Sequence, residues 1–451
     1  MLRFLRIVLI VGILLTLLSV PGVFAQDEGF PDGTELTILQ WSHFVPRYDE
    51  WFDQYAQDWG EANNVEVTVD HINITEIPAT VTAELDAGEG HSLMEFSLSP
   101  AAYIEGLHDL TDINMEAQEL YGEPVETCKA NVYLPATDSW YAYAHGYVPD
   151  PGDYIISMWT EVGFPDGPKT YDDLLQGGTA IREQLGVPMG IGLSPEIDSE
   201  FAGRAIMWSY GASVQDENEN VVLNSPETVA AVEYMVELYN NTMTDEVFAW
   251  GPASNNQGLV AGDLSYILNS ISAYRSQQKI DPEAAADIGF TSALEGPAGA
   301  FAASHLWQIY GIPKYVEGGE LDAAKKFILD HTATYSDVTY NSELYNFPCF
   351  PPTVPELDEW LENDPFESEP ANKLQILAGA SEWGVWLGYP GVANPAIGQV
   401  YAENIISNMY ARVALGEMTA EESVAAAAER AEEIFDFWRE KGYVGGGEES
   451  S

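Results

Sequence analysis

The sequence predicts an α/β protein built as two domains. Three observations carry this: a strand–helix–strand unit near the start, two aromatic- and turn-rich stretches that read as crossings between domains, and a length of 451 residues, which by itself allows two sizeable domains or one large one.

The first unit opens with Leu36 to Gln40, a strand-like run ending at Trp41-Ser42-His43-Phe44. Trp51, Tyr55 and Trp59 then recur every four residues, which predicts a helix from Asp49 to Trp59, stopped by Gly60. Val65, Val67 and Val69 alternate as a second strand. A strand–helix–strand unit predicts a parallel sheet, with functional residues on the loops after the strand C-termini, where Trp41 to His43 lie. A helix from about Glu76 to Asp86 ends at Gly88-Glu89-Gly90, and Leu93 to Phe96 is a third short strand.

Thr137 to Tyr154 is dense in aromatics and prolines and reads as a crossing between domains. Tyr171 to Leu185 is an amphipathic helix, and Asn224-Ser225-Pro226-Glu227 caps a long one. Between them Asp216, Asn218 and Asn220 invite a calcium reading. The glycine and distal glutamate of an EF-hand loop are missing, so a plain hairpin is expected. Leu321 to Asp330 is helical, Phe347 to Pro352 reads as a second crossing, and Thr419 with Glu422 forms a capping box for the final helix.

Arg3 and Arg6, the apolar run Ile7 to Val20, Pro21-Gly22 and Val23-Phe24-Ala25 read as a signal peptide cleaved after Ala25; the alternative is an uncleaved anchor helix over Ile7 to Ala25, which Pro21-Gly22 disfavours. Its removal leaves 426 residues and takes the formal charge from -55 to -57. That charge argues against nucleic acid and anionic membranes as partners. It is either a solvated acidic surface or a field that concentrates cations, and the spread of acids along the whole chain favours the surface. Cys128 and Cys349, in an exported chain, can form one disulfide or stay as two buried thiols.

No zinc, redox, serine-hydrolase or nucleotide motif is present, the seven histidines share no helical face, and neither metal nor cofactor is expected. The positive signal is aromatic: 12 Trp and 24 Tyr, many in Gly-, Pro- and Asn-rich segments. Flat rings beside amides and hydroxyls suit a sugar, whose ring has apolar faces and a hydroxyl fringe.

Several segments together resemble the family 1 extracellular solute-binding proteins of ABC importers, the group that includes maltose-type binding proteins. They are Gly106-Leu107-His108-Asp109-Leu110-Thr111-Asp112, Thr170 to Leu175, Asn224 to Glu227, Val260 to Ser265, and Gly416 to Glu422, in that order. The resemblance implies a two-lobed periplasmic-binding-protein-like fold (type II), with a ligand cleft and hinge between lobes. It implies residues 1–25 as signal peptide, 34–146 with about 300–346 as lobe 1, about 147–299 with about 347–444 as lobe 2, and 445–451 as a disordered tail. It also implies a monomer, exported to the periplasm or cell exterior, that delivers a sugar or oligosaccharide to ABC permease subunits and is no enzyme. The family's acid-bearing text after the second helix is replaced by Gly88 to Glu95, leaving His91 or Glu95 as substitutes.

Candidate ligand-binding residues are Trp41 and His43 at the first strand end, and Trp140, Tyr141 and His145 at the first crossing. Trp250, Asn255 and Asn256 put an indole beside amides on one loop; Asn269, Tyr274 and Arg275 follow an apolar strand end. Arg275 either binds an anionic ligand group or pairs with a neighbouring acid. Trp307 lies near the return into the first lobe, and Trp386 and Tyr389 sit in a glycine-rich aromatic segment. Two rivals remain: a secreted carbohydrate-active hydrolase, which needs two carboxylates in the cleft, and the same fold holding a polyamine or other small cation.

Overall fold

A computed structural model describes residues 29–446. The expected signal peptide lies outside the described residues, and no helix among them is long and apolar enough to cross a membrane. Thr34–Trp41 pairs in parallel with Val65–Ile72 along its whole length and with Leu93–Phe96 on its other side. The helix between the first two strands, Pro46–Asn63, begins on proline and ends where Asn64 turns left-handed at φ 58°. Its inner face is Tyr48, Phe52, Ala56 and Trp59, one step round from the predicted stripe. Trp51 and Tyr55 flank that face and stack on each other at 5.3 Å. An apolar stripe at helical spacing is broad, and the sheet selects its centre.

The sheet continues antiparallel through Ala302–Gly311, Tyr143–Pro149 and Phe347–Pro348, with Gly384–Val385 at one end, for seven strands in all. Every residue of Ala302–Gly311 is buried. Asp150 and Pro151 then carry the chain into Gly152–Ile155, the centre of a three-stranded antiparallel sheet between Tyr266–Leu268 and Ile288–Thr291. This passage between the sheets lies within Thr137 to Tyr154. Of the stretch read as a second crossing, Phe347–Pro348 belongs to the seven-stranded sheet. Cys349 is anchored there by its disulfide to Cys128, so the chain leaves this sheet after the expected boundary at 346.

Around the smaller sheet, local signals are obeyed. Thr170 with Asp173 and Thr419 with Glu422 form reciprocal capping boxes, and Ser225 caps Pro226–Thr242. The Asp216 to Asn220 segment is a hairpin turn: one Asp216 oxygen accepts the backbone N–H groups of Asn218 and Asn220 at 2.8 and 2.9 Å. Glu219 in that turn accepts the Gly445 N–H, so the expected tail is tied down at its first residue. Residues 447–451 of the expected tail lie outside the described residues.

The disulfide joins positions 221 apart in sequence, and both cysteines are fully buried. Replacing both by serine is expected to lower the unfolding free energy by about 5 kcal/mol if chain entropy dominates. Urea denaturation measures this, and an unchanged midpoint would show that the crosslink contributes nothing.

Candidate ligand cleft

The parallel strands deliver their C-terminal loops to one side. Ile74 to Pro78 follow the second strand, Ser97 to Ser99 follow the third, and Tyr103 stands on the next turn. These face Pro195 to Ile197, Trp250 to Pro252, Leu387 and the helix carrying Tyr401, enclosing a cleft of about 490 Å³. That is the size of a small-ligand site. Four rings line it, Phe96, Tyr103, Trp250 and Tyr401, with polar groups at Thr75, Ser97, Ser99, Glu196 and Asn404.

Trp250 is half-buried. It follows the short turn Asp245–Ala249, and its carbonyl accepts the Ser194 hydroxyl at 2.8 Å. Gly190 makes room for the indole, since a Cβ there would lie 2.2 Å from the ring. Glu196 caps the helix Ile197–Ser209, accepting the N–H groups of Asp198 at 2.8 Å and Ser199 at 2.6 Å. Burial raises its pKa, and these hydrogen bonds oppose the rise.

Of the sequence-predicted residues, Trp250 lines this cleft and the others are turned to internal partners. Trp41 is buried and stacks on His43 at 4.9 Å. The His43 ring accepts the Val45 N–H at 2.9 Å and meets Asn346 Oδ1 at 3.0 Å through Nε2. Trp140 packs on Tyr133, and Trp307 donates to Thr127 at 3.2 Å. The Tyr141 hydroxyl lies 2.6 Å from the Asn131 carbonyl and 2.8 Å from Ser99 Oγ, bracing the cleft wall from behind. Asn255 donates to Asp198 at 2.9 Å, Asn269 to Asn256 at 2.5 Å, and Asn256 to Ser272 at 3.0 Å. Tyr274 donates to Ser368. Arg275 pairs with Asp364 at 2.8 Å and is buried, so the salt-bridge alternative is the one observed. It also borders a second recess with Arg47 and Lys279. Trp386 donates to the Gly391 carbonyl at 2.6 Å, and Tyr389 packs between Trp208 and Phe301. The two substitutes fare likewise: His91 pairs with Glu84 at 2.7 Å, and Glu95 is buried beside His145 at 3.4 Å.

Sequence reasoning passed over Ser97, Tyr103, Glu196 and Tyr401. The strand-end rule that singled out Trp41 applies equally to Ser97. Tyr401 stands on a helix and carries no local signal.

The profile of a family described as bacterial extracellular solute-binding protein matches residues 54–371, more than half of the chain. The chain belongs to that family. The solute-binding protein also shares its fold with solved structures. Maltose-bound MalE3 of T. maritima is 19% identical with TM-score 0.72, covering 89% of this chain and 100% of its own. A sugar transporter protein of Arthrobacter chlorophenolicus A6 with bound laminaribiose is 15% identical with TM-score 0.73, covering 89% and 99%. A putative oligosaccharide periplasmic-binding protein from Synechococcus sp. MITs9220 is 16% identical with TM-score 0.74, covering 89% and 100%. These matches make the α/β fold that of two-lobed periplasmic binding proteins. No curated protein sequence gave a significant match. The matching family is one of exported binding proteins.

Behind the cleft wall, burial holds the His43 imidazole down to about 4 and His331, among Phe52, Tyr55 and Phe327, down to about 3. The unfolded chain takes up these protons near pH 6.5 and the folded chain does not. Their contribution is therefore present at pH 7 and lost as pH falls towards the folded values. Buried Glu95 and Asp153 act with opposite sign: burial pushes both carboxyls well up, so stability is lost as pH rises. Comparison with His331→Gln isolates one imidazole. Between about pH 6 and pH 4 the wild type should lose about 1.4 kcal/mol per pH unit relative to the variant. Urea midpoints at several pH values measure this, and parallel curves would show that His331 titrates normally.

Proposed function

We propose that this solute-binding protein captures a sugar or short oligosaccharide outside the cell and presents it to the permease subunits of an ABC importer. The observation that carries the reading is a cleft lined by four rings, Phe96, Tyr103, Trp250 and Tyr401, with few polar groups among them. Such walls suit the two faces of a pyranose, and Ser97, Ser99 and Asn404 suit its hydroxyls. The sugar-bound neighbours, with maltose and laminaribiose, support it.

Binding uses no covalent chemistry and no cofactor. A ligand touching both walls stabilises the closed form, whereas one touching a single wall would leave the equilibrium unmoved. The protein acts as a monomer and meets the membrane through its transporter. A glycoside hydrolase would need two carboxyls across the bond, and among the described residues lining the cleft Glu196 is the one carboxylate.

Calorimetry of the chain from Gln26 onward against a saccharide panel tests the reading. Trp250→Ala should weaken the best ligand by tenfold or more, about 1.4 kcal/mol, with little change in melting temperature. Undiminished affinity would remove Trp250 from the site, and steady release of cleaved product would replace the binding reading with a hydrolytic one.

A further inference from the structure

Most of the polar groups that line the cleft are already engaged within the protein. The Thr75 hydroxyl donates to Asn73 Oδ1 at 2.8 Å, and the Tyr103 hydroxyl to the Pro78 carbonyl at 3.3 Å. Ser99 Oγ accepts the Ala101 N–H at 3.3 Å and lies 2.8 Å from the Tyr141 hydroxyl. Glu196, the one charged side chain among the lining residues, has each carboxylate oxygen on a backbone N–H of the helix it caps, and Oε1 also takes the Ser199 hydroxyl. The backbone is occupied in the same way. Ser254 accepts the Gly251 N–H at 3.0 Å, and the Trp307 N–H donates to the Ser97 carbonyl at 3.0 Å. Three further lining positions, Pro78, Pro195 and Pro252, have no N–H to offer.

What remains for a ligand is a short set. The Ser97 hydroxyl and the Trp250 indole N–H meet no partner among the described residues, and Asn404 keeps its side-chain carbonyl while its amide N–H donates to Ala402 at 3.4 Å. These groups serve part of the hydroxyl fringe of one sugar ring. A second ring would bring as many hydroxyls again into a cleft without partners for them, and a buried hydroxyl that loses its hydrogen bonds opposes binding.

The apolar part of the lining is larger and contiguous at one end. Ile74 and Pro78 come from the turn and helix that follow Val65–Ile72, Phe96 ends Leu93–Phe96, and Tyr103 stands on the turn Pro100–Gly106. The Phe96 and Tyr103 rings lie 5.8 Å apart. With its hydroxyl turned to Pro78, Tyr103 presents its ring as an apolar surface. Ile74 and Tyr103 are half-buried and Pro78 is exposed, so a ligand can reach this patch. An apolar group laid on it leaves water without giving up hydrogen bonds.

We propose that the cargo is a glycoside with an apolar aglycone, aryl or alkyl. Phe96, Tyr103, Ile74 and Pro78 cover the aglycone, and the few unengaged polar groups meet the single sugar ring. The proposal rests on the saccharide reading of the cleft and narrows it.

The test varies the aglycone. Calorimetry of the chain from Gln26 onward compares methyl, phenyl and hexyl glycosides of glucose, galactose, mannose and xylose, in both anomers, with maltose, cellobiose and lactose. At least one phenyl or hexyl glycoside should bind about tenfold or more tightly than the methyl glycoside of the same sugar and than every disaccharide. Its heat-capacity change on binding should also be more negative than that of the methyl glycoside. Tyr103→Ala should remove most of this preference and change methyl-glycoside affinity little, whereas Tyr103→Phe, which loses only the bond to Pro78, should keep it. Ile74→Ser, away from the ring pair, is the second variant and should also reduce the preference. A phenyl group favoured over hexyl assigns an aryl aglycone, and the reverse an alkyl one; either supports the proposal. A preference that survives both Tyr103→Ala and Ile74→Ser would overturn the assignment of the patch. Tighter binding of a disaccharide than of any phenyl or hexyl glycoside would overturn the aglycone and leave the sugar reading intact. Phenol or hexanol binding as tightly as the glycoside would overturn both, because the sugar would then contribute nothing.

Discussion

Two residues, Asp150 and Pro151, join the strand beside one edge of the larger sheet to the central strand of the smaller. Tyr143–Pro149 is buried along its length in the seven-stranded sheet, and Gly152–Ile155 is buried in the three-stranded one. This tether is short, and the helix Ile197–Ser209 also packs against Ala302–Gly311 of the larger sheet. The loops at the C-terminal ends of the parallel strands are thereby held opposite the first turn of Ile197–Ser209. The cleft follows from that placement, as ligand sites in open α/β sheets follow from where strand ends converge.

Positive charge is scarce in this chain, with 17 Lys and Arg against 72 Asp and Glu, and part of it is used inside. Arg204 pairs with Glu200 at 3.2 Å and Arg275 with Asp364 at 2.8 Å, all four side chains almost fully buried. Glu200 also accepts the Ser407 N–H, tying the Ile197–Ser209 helix to a later one. Buried pairs of this kind contribute little net stability but are costly to break singly, so they enforce one arrangement of helices.

Much of the architecture was legible before any coordinates. The parallel unit, the capping boxes at Thr170 and Thr419 and the Ser225 cap all stand where local patterns put them. The site was far less legible. Trp250 lies in the cleft, but Asn255, Asn256 and Asn269 form a chain of hydrogen bonds with one another and with Asp198. An amide that looks free in sequence is as readily consumed by a neighbour brought close in folding. The aromatic density at Trp140, Tyr141 and His145 reflects the same thing, since those rings fill the larger core. Tyr401 shows the converse, an ordinary helical position that packing turns into a wall of the cleft.

The sequence by itself determined the class of fold, the positions of most helices and strands, and the family, because turn chemistry, caps and hydrophobic period act over a few residues and are read locally. Only the tertiary structure decided which rings line the cleft and which pack inward, that Cys128 meets Cys349 across 221 positions, and that Asp150 and Asp198 share His305. Those outcomes depend on distances between segments far apart along the chain. No local pattern encodes such a distance until both lobes have folded and been set against each other.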